Sequence, residues 1–328
     1  MGILSSDNFL RELVDRDKVI IAGGMKCGTT WLHNCLNKSE SISISNGEYN
    51  FFDGDDLLCH PDYQQITRVG LKRFRSDFDS ESHRVSFSSP LQDEKYVGFD
   101  CTTIIHAQMD FKKLDHILPN AKYIVLLRNP LHRSVSHYWH LVRTGRTHNS
   151  FEKEILFGNK EIIYRSIYVN QVRRIKHQMG KRVLFLNFDK LFTSPKAELT
   201  KVVQFLDLPE SDIEIFLDTV TQKKNYGRYP RFLTGWLFAS RCLSGLERFR
   251  YYDQLHSKSG TFKIPLGWLF YLKIFIMTIF GGGYTSQKRP LKNETLNQLN
   301  TFLLDANHDL SSIIGEPFVE YWTKNEQV

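Results

Sequence analysis

The sequence predicts an α/β protein whose mostly parallel central sheet is flanked by helices. Short apolar runs typical of buried strands recur along the chain, at Val19–Ala22, Tyr96–Asp100, Tyr123–Leu127 and Gly180–Leu186. Segments with helical periodicity separate these runs, and strands that alternate with helices favour a parallel sheet. Two of the runs are followed directly by residues suited to bind anions, as expected at the carboxyl edge of such a sheet.

The composition is that of an ordinary globular protein, with 41% hydrophobic and 24% charged residues in a chain of 328. This length can bury one large core. We expect a single domain over residues 1–328, with a variable helical insertion at about 225–284. The formal charge of +7 suits a polyanionic partner. No run of five or more basic residues occurs, which argues against a nucleic-acid partner.

The cysteines and the N-terminal segment predict a cellular location. The five cysteines are odd in number and do not have metal-ligand spacings, so free thiols in a reducing compartment are expected. The first residues, MGILSSDNFLRELVDRDK, include no apolar stretch long enough for a signal peptide or a membrane anchor. We therefore expect a cytoplasmic protein.

The stretch Val19–Leu32 predicts a site for a phosphate-like group. A buried strand, a glycine turn and the start of a helix follow one another there, and this order presents backbone N–H groups to an anion. Lys26 adds a positive charge, and Thr29 and Thr30 add hydroxyl groups. The lysine stands two residues before Gly28 instead of directly after it. The stretch therefore departs from the phosphate loop of ATP-binding proteins.

A second motif extends from Ala121 to Tyr138. Arg128 stands at the carboxyl end of a buried strand, Pro130 begins a new element, and the helix that follows carries Ser136. Ligands of open α/β sheets bind at the carboxyl ends of strands, so Arg128 is placed where a second phosphate would lie.

Together the two motifs resemble those of sulfotransferases that use 3′-phosphoadenosine 5′-phosphosulfate (PAPS). K-C-G-T-T-W at 26–31 is similar to their 5′-phosphosulfate loop, and R-N-P-x-x-R-x-x-S-x-Y at 128–138 is similar to their 3′-phosphate site. The resemblance covers about residues 18–322, with gaps at 55–94 and 232–283. It implies the P-loop-like fold of bacterial and heparan-sulfate-type carbohydrate sulfotransferases. The implied cofactor-binding residues are Lys26, Cys27, Gly28, Thr29, Thr30, Trp31, Arg128 and Ser136.

The resemblance also implies catalytic residues. Heparan-sulfate-type enzymes have a catalytic glutamate in the pattern K-E-x-x-F-F shortly after the phosphosulfate loop. This chain keeps the glutamate as Glu48 and both aromatic residues, Phe51 and Phe52, but has Gly47 in place of the lysine. Glu48 is the predicted general base, and Lys26 is the second predicted catalytic residue. The competing candidates for the base are Asp100 and His106.

Two features of the C-terminal third carry further predictions. Related enzymes close a basic loop over the nucleotide before their final helices, and Lys288 and Arg289 are the matching candidates, although the K-G-R order of the family is absent. Pro265–Phe280 is an apolar run interrupted by Lys273. It is shorter than the roughly 20 residues that a membrane-spanning helix needs. We expect a helix packed on the core or over the acceptor site, with weak contact to a membrane surface as the alternative.

The resemblance implies transfer of a sulfuryl group from PAPS to an acceptor hydroxyl of a sugar or a small-molecule alcohol such as a secondary metabolite, or less readily to an amine. Lysine supplies the charge that kinases obtain from magnesium, so no metal is expected. Two other functions stay open: an ATP-dependent kinase with Asp100 as a magnesium ligand, and a non-catalytic nucleotide-binding protein. The sequence leaves the oligomeric state and the acceptor open.

Overall fold

The structure is a computed structural model that describes residues 2–4, 16–48, 85–87, 94–106, 111, 114–115, 118–158, 160–222, 227–249 and 267–324. Its strands are β1 (Gly2–Leu4), β2 (Asp17–Gly23), β3 (Ile42–Glu48), β4 (Val85–Phe87), β5 (Tyr96–Asp100), β6 (Lys122–Leu127), β7 (Val183–Asn187), β8 (Tyr229–Pro230) and β9 (Tyr284–Thr285). Its helices are α1 (Thr29–Leu36), α2 (Pro130–Arg143), α3 (Phe151–Phe157), α4 (Glu161–Tyr164), α5 (Val169–Met179), α6 (Lys190–Thr193), α7 (Pro195–Leu206), α8 (Ser211–Gln222), α9 (Leu233–Cys242), α10 (Trp268–Phe280), α11 (Asn293–Ala306), α12 (Leu310–Ile314) and α13 (Phe318–Lys324).

Five parallel strands form the central sheet in the order β3-β5-β2-β6-β7. Helices α5, α12 and α13 contribute to the apolar core on one face, and α1, α7 and α8 contribute to the core on the other. Burial on both faces explains why the strands are nearly continuous apolar runs. The predicted α/β fold is confirmed.

The order of the strands places a crevice at the carboxyl edge of the sheet. The chain continues from β2 to β3 and β5 on one side, and then crosses to β6 and β7 on the other. In open α/β sheets such a reversal is where ligands bind. The residues that end the strands at this edge are Gly23, Glu48, Asp100, Leu127 and Asn187.

Two boundaries differ from the sequence prediction. The sequence favours a turn over residues 46–53, yet its first three residues belong to β3, whose pairing with β5 shifts register between Ile44 and Glu48. The shift absorbs the glycine-containing stretch without ending the strand. The strand expected from Gly180 begins at Val183, because Gly180 has a φ of +56° and opens a short 3₁₀ turn.

Helices α2, α9, α10 and α11 enclose a third apolar cluster beside the sheet. Helices α9 and α10 lie in the described parts of the segment expected to be a variable insertion, and they pack against each other. In the part of the chain that the structure describes, none of the helices has the length and apolar character needed to cross a bilayer. The division into one domain with an insertion stays a prediction.

Candidate active site

The phosphate loop joins β2 to α1 at the crevice. Gly28 precedes the helix with a φ of +92°, and Lys26 also has a left-handed backbone, with a φ of +65°. Left-handed residues within a turn form concave groups of N–H donors that bind anions. The first N–H groups of α1 are further donors, because N–H groups in the first turn of a helix have no acceptor within the helix. The loop therefore has the donor chemistry that a phosphate requires.

Buried contacts hold this loop in place. The amide of Gly24 donates to the Leu126 carbonyl at 2.6 Å, and the Arg133 Nε donates to the Met25 carbonyl at 3.2 Å. Arg133 is fully buried, and burial lowers its pKa to about 10. It is therefore still protonated at neutral pH and places a fixed positive charge beneath the loop. Arg133 is the second arginine of the motif at 128–138, and its contacts with backbone carbonyls are structural.

Cys27 faces the protein interior. Its amide donates to the Gly24 carbonyl at 3.0 Å, and its thiol lies 3.7 Å from the Met25 carbonyl and 4.0 Å from the Tyr168 hydroxyl. Burial raises the pKa of the thiol to about 11, so Cys27 is not a thiolate at neutral pH. Its contact with a cofactor stays a prediction.

The remaining loop residues differ in exposure. Thr29 is buried, Thr30 is exposed, and Trp31 is half-buried. The Trp31 Nε1 is buried and has no hydrogen-bond partner among the described residues.

Arg128 follows β6 and bridges to the loop. Its Nη1 donates to the Lys26 carbonyl at 3.4 Å, and its own carbonyl accepts a bond from the Tyr168 hydroxyl at 2.9 Å. The guanidinium lies 5.0 Å from the centroid of the Phe188 ring, within cation–π range. The buried Arg128 Nε has no partner within the described ranges. A donor of this kind, next to the phosphate loop, fits a second anionic group.

The turn after β7 braces this arginine. Phe188 supports the Arg128 side chain, and its ring also occupies the space that a side chain at Gly28 would need. The next residue, Asp189, accepts a bond from the Asn129 amide at 2.6 Å. No motif in the sequence marks Phe188 or Asp189 as part of the site. The position of the turn directly after a strand of the parallel sheet was the available signal.

A group of cations lies beside Arg128. Lys288 keeps part of its side chain exposed, but partial burial lowers its pKa, and the charges of Arg128 and Arg143 lower it further. Arg143 and Ser136 are seven residues apart on α2, so they share one face of the helix. Converging cations repel one another, and a bound phosphate would relieve that repulsion. A contact between Lys288 and the nucleotide, as the basic-loop assignment implies, stays a prediction.

Arg289, the second residue predicted in the basic loop, has a different partner. Its Nη2 donates to the Arg231 carbonyl at 2.6 Å. This bond ties the loop after β9 to the residue that follows β8. A contact between Arg289 and the nucleotide stays a prediction.

Glu48 ends β3 with its backbone opposite Asp100. The structure describes the Glu48 backbone and not its side chain, and Phe51 and Phe52 lie outside the described residues. Glu48 therefore lies at the carboxyl edge that also holds the phosphate loop. Its role as the base stays a prediction.

Asp100 is buried and already engaged. Its Oδ2 accepts from the His33 Nδ1 at 3.2 Å, while the His33 Nε2 accepts from the Asn37 Nδ2 at 3.0 Å. Asn37 also bonds the Ile44 backbone at 2.6 and 3.3 Å, which fixes its orientation. Burial raises the pKa of Asp100, although His33 opposes the shift. The chain of contacts links β5, α1 and the strand that ends at Glu48.

His106 is also buried. Burial lowers its pKa well below the usual value, and the charges of Arg165, Arg133 and Arg174 lower it further. Its Nδ1 has no hydrogen-bond partner among the described residues. His106 is therefore neutral and remains a candidate for the base.

Two anion-binding groups thus share one edge of the sheet and are joined by the Arg128–Lys26 hydrogen bond. Their donors fit a nucleotide with a phosphate-like group at each of two positions, as in PAPS. Among the residues that the structure describes, no cluster of His, Cys, Asp and Glu has the arrangement of a metal site.

Comparisons with known proteins agree with this chemistry. The sequence profile of the sulfotransferase domain matches residues 16–245. A curated relative, heparan sulfate glucosamine 3-O-sulfotransferase 5 of Mus musculus, is 26% identical over 215 residues, which are 61% of this chain and 56% of that protein. The bifunctional heparan sulfate N-deacetylase/N-sulfotransferase 1 of Caenorhabditis elegans is 26% identical over 256 residues, 72% of this chain and 26% of its own. This chain thus spans about half or less of the length of these relatives.

Among solved structures, the sulfotransferase from Alicyclobacillus acidocaldarius superposes with a TM-score of 0.53 at 17% identity, covering 94% of this chain and 99% of the other. This similarity supports the fold. The match to the domain profile covers more than half of the chain. The protein belongs to the PAPS-dependent sulfotransferase family.

The Phe188 contact makes a testable prediction about binding of the product nucleotide, 3′-phosphoadenosine 5′-phosphate (PAP). A cation–π contact contributes about 0.5–2 kcal/mol, so Phe188→Leu should reduce the preference for PAP over AMP about two- to thirtyfold. AMP lacks the 3′-phosphate and should bind almost unchanged. Isothermal titration calorimetry with both nucleotides measures the ratio.

The control is Phe192→Leu, because the Phe192 ring packs against Phe188 with centroids 5.0 Å apart. Phe192→Leu should keep the preference for PAP over AMP. Phe188→Tyr should also keep it, because an aromatic ring remains beside the Arg128 guanidinium. Equal losses of PAP and AMP affinity in Phe188→Leu would contradict the positioning role.

Proposed function

We propose that this protein transfers the sulfuryl group of PAPS to an acceptor hydroxyl, with Glu48 as general base. The observation that carries the proposal is the pair of anion-binding groups at one crevice, joined through Arg128 and the Lys26 carbonyl at 3.4 Å. When bound, PAPS would supply the activated sulfuryl group. As in phosphoryl transfer, positioning and charge stabilisation then carry most of the catalysis.

Each group at the crevice has a distinct task. The loop N–H groups and Lys26 bind the 5′-phosphosulfate and stabilise the negative charge that grows on the departing phosphate. Arg128, with Ser136 and Lys288 nearby, binds the 3′-phosphate and fixes the orientation of the nucleotide. Glu48 accepts the acceptor proton as the new O–S bond forms. Cys27 serves as a buried part of the loop.

The proposed acceptors are the hydroxyl groups of a carbohydrate. The mouse relative is named as a 3-O-sulfotransferase of heparan sulfate glucosamine, and its match covers 61% of this chain. A small-molecule alcohol is the second candidate, and an amine is the third, because the name of the Caenorhabditis elegans relative includes N-sulfotransferase. The predicted cytoplasmic location stays part of the proposal.

An acceptor screen with sulfur-labelled PAPS tests the function. We expect labelled product with at least one of three acceptor sets: heparan-type oligosaccharides, hydroxylated small molecules or amines. Turnover should continue in a magnesium chelator, and PAP should raise the melting temperature more than ATP does. Magnesium-dependent phosphorylation with ATP would support a kinase instead. PAP binding without turnover on any set would indicate a non-catalytic nucleotide-binding protein.

A further inference from the structure

One face of α10 is apolar and exposed. Its side chains Trp268, Tyr271, Phe275 and Ile279 are 50%, 74%, 62% and 63% exposed. Their spacings of three, four and four residues place them on one stripe of the helix. We call this stripe the α10 face. The opposite side of the helix packs inward through Lys273 and Met277.

The only charged residue of α10 is used inside the protein. The Lys273 Nζ donates to the Gly145 carbonyl at 2.7 Å and to the Glu247 carboxylate at 3.0 Å. A buried ammonium group needs such partners, so these contacts fix the rotation of the helix. That rotation turns the apolar stripe outward.

Neighbouring side chains enlarge the apolar surface. Phe280 follows Ile279 at the end of α10, and its ring lies 6.4 Å from the ring of Phe238 on α9. Both side chains are more than half exposed, as is Phe232 just before α9. Contiguous apolar surface of this kind on a folded protein marks a site of interaction.

The segment 225–291, which contains α9 and α10, carries the excess positive charge of the protein. Residues 225–291 contain ten of the 43 lysines and arginines and only two of the 36 aspartates and glutamates. The formal charge of this segment is +8, and that of the rest of the chain is −1. Within its described part, the exposed charged side chains are all basic: Arg228, Arg231, Arg241, Lys288 and Arg289. Arg241 lies one turn beyond Phe238 on α9.

We propose that the α10 face docks the protein on the surface of an anionic phospholipid bilayer. Aromatic and aliphatic side chains enter the boundary between headgroups and acyl chains, and flanking basic residues bind anionic headgroups. A second copy of this chain fits less well, because a symmetric contact would bring two +8 segments together. A bilayer surface satisfies both the apolar and the electrostatic character of the face. The proposal is independent of the proposed transferase activity.

Vesicle flotation with the full chain at physiological salt tests the proposal. We expect binding to vesicles of phosphatidylcholine with phosphatidylserine, and much weaker binding to phosphatidylcholine alone. The double variant Tyr271→Ala with Phe275→Ala should partition onto these vesicles at least about tenfold more weakly, because it lacks two aromatic side chains that the bilayer would bury. Phe302→Ala is the matched control, since Phe302 is 51% exposed on α11, outside this face.

A second pair of variants tests the charge. Arg241→Glu should reduce partitioning about tenfold, given the contribution of each basic residue near an anionic surface. Lys181→Glu makes the same change in net charge on an exposed residue before β7 and should have little effect. All variants should keep the thermal stabilisation by PAP, which shows that they fold.

Three results would overturn the proposal. The first is no binding by the wild type, and the second is equal loss in the face variants and their controls. The third is that the wild type forms a dimer and binds no lipid, while the double variant is a monomer. That outcome would assign the face to a second copy of the chain.

Discussion

Glu48→Gln should reduce turnover at least a hundredfold while the affinity for PAP stays near that of the wild type. An acceptor hydroxyl is a poor nucleophile, and its proton must leave as the O–S bond forms. A positioned carboxylate contributes about 10²–10⁴-fold to such a step, and the amide of glutamine cannot accept the proton. The measurement compares single-turnover rates with labelled PAPS and calorimetric titrations with PAP.

The controls are the two competing candidates, Asp100→Asn and His106→Ala. The Asp100 carboxylate is held by His33 at 3.2 Å, and His106 is buried among arginines. Each substitution therefore acts first on packing and hydrogen bonding, and we expect effects on stability as well as rate. If Glu48→Gln keeps most of its activity while one of these variants loses it without unfolding, the base belongs to β5 or to the turn after it.

The sequence was sufficient for those parts of the fold that depend on local patterns. The apolar runs at β2, β5 and β6 are buried on both faces, so almost every residue in them is apolar and the strands are easy to recognise. The end of β3 was harder to predict. Asn and Gly at 46 and 47 favour a turn locally, yet pairing with β5 continues through Glu48. Pairing with β5, a strand distant in sequence, sets the end of β3, and local sequence patterns carry no information about such pairing.

The same distinction applies to the site. The two phosphate motifs are contiguous in sequence, and their residues could be named from it. Phe188 and Asp189 act on Arg128 and Asn129 from about 60 residues away. Their contacts arise because β6 and β7 are neighbours in the sheet. The grouping of Arg143 with Lys288 likewise depends on how the loop after β9 returns to α2. Such relations require the order of the strands and the path of the chain.

Arg128→Ala should remove most of the preference for PAP over AMP. Only PAP carries the 3′-phosphate, and a charge-assisted hydrogen bond contributes roughly 1.5–3 kcal/mol, or about ten- to a hundredfold in affinity. AMP affinity should change little, since the loop N–H groups and Lys26 still bind the 5′-phosphate. Arg128→Lys should restore part of the preference, because it keeps the charge but loses the planar fork of donors. Calorimetric titration of both nucleotides gives the two ratios.

Two further variants locate the effect. Arg143→Ala should cause a smaller loss of the preference, because Arg143 acts beside Lys288 while Arg128 itself contacts the loop at the Lys26 carbonyl. Arg173→Ala removes an exposed arginine whose nearest carboxylate, on Asp309, is 3.6 Å away, and it should leave both affinities unchanged because such surface pairs contribute little. Equal affinity of the wild type for AMP and PAP would show that Arg128 does not bind a 3′-phosphate. A loss in Arg173→Ala as large as in Arg128→Ala would instead indicate a general effect of net charge.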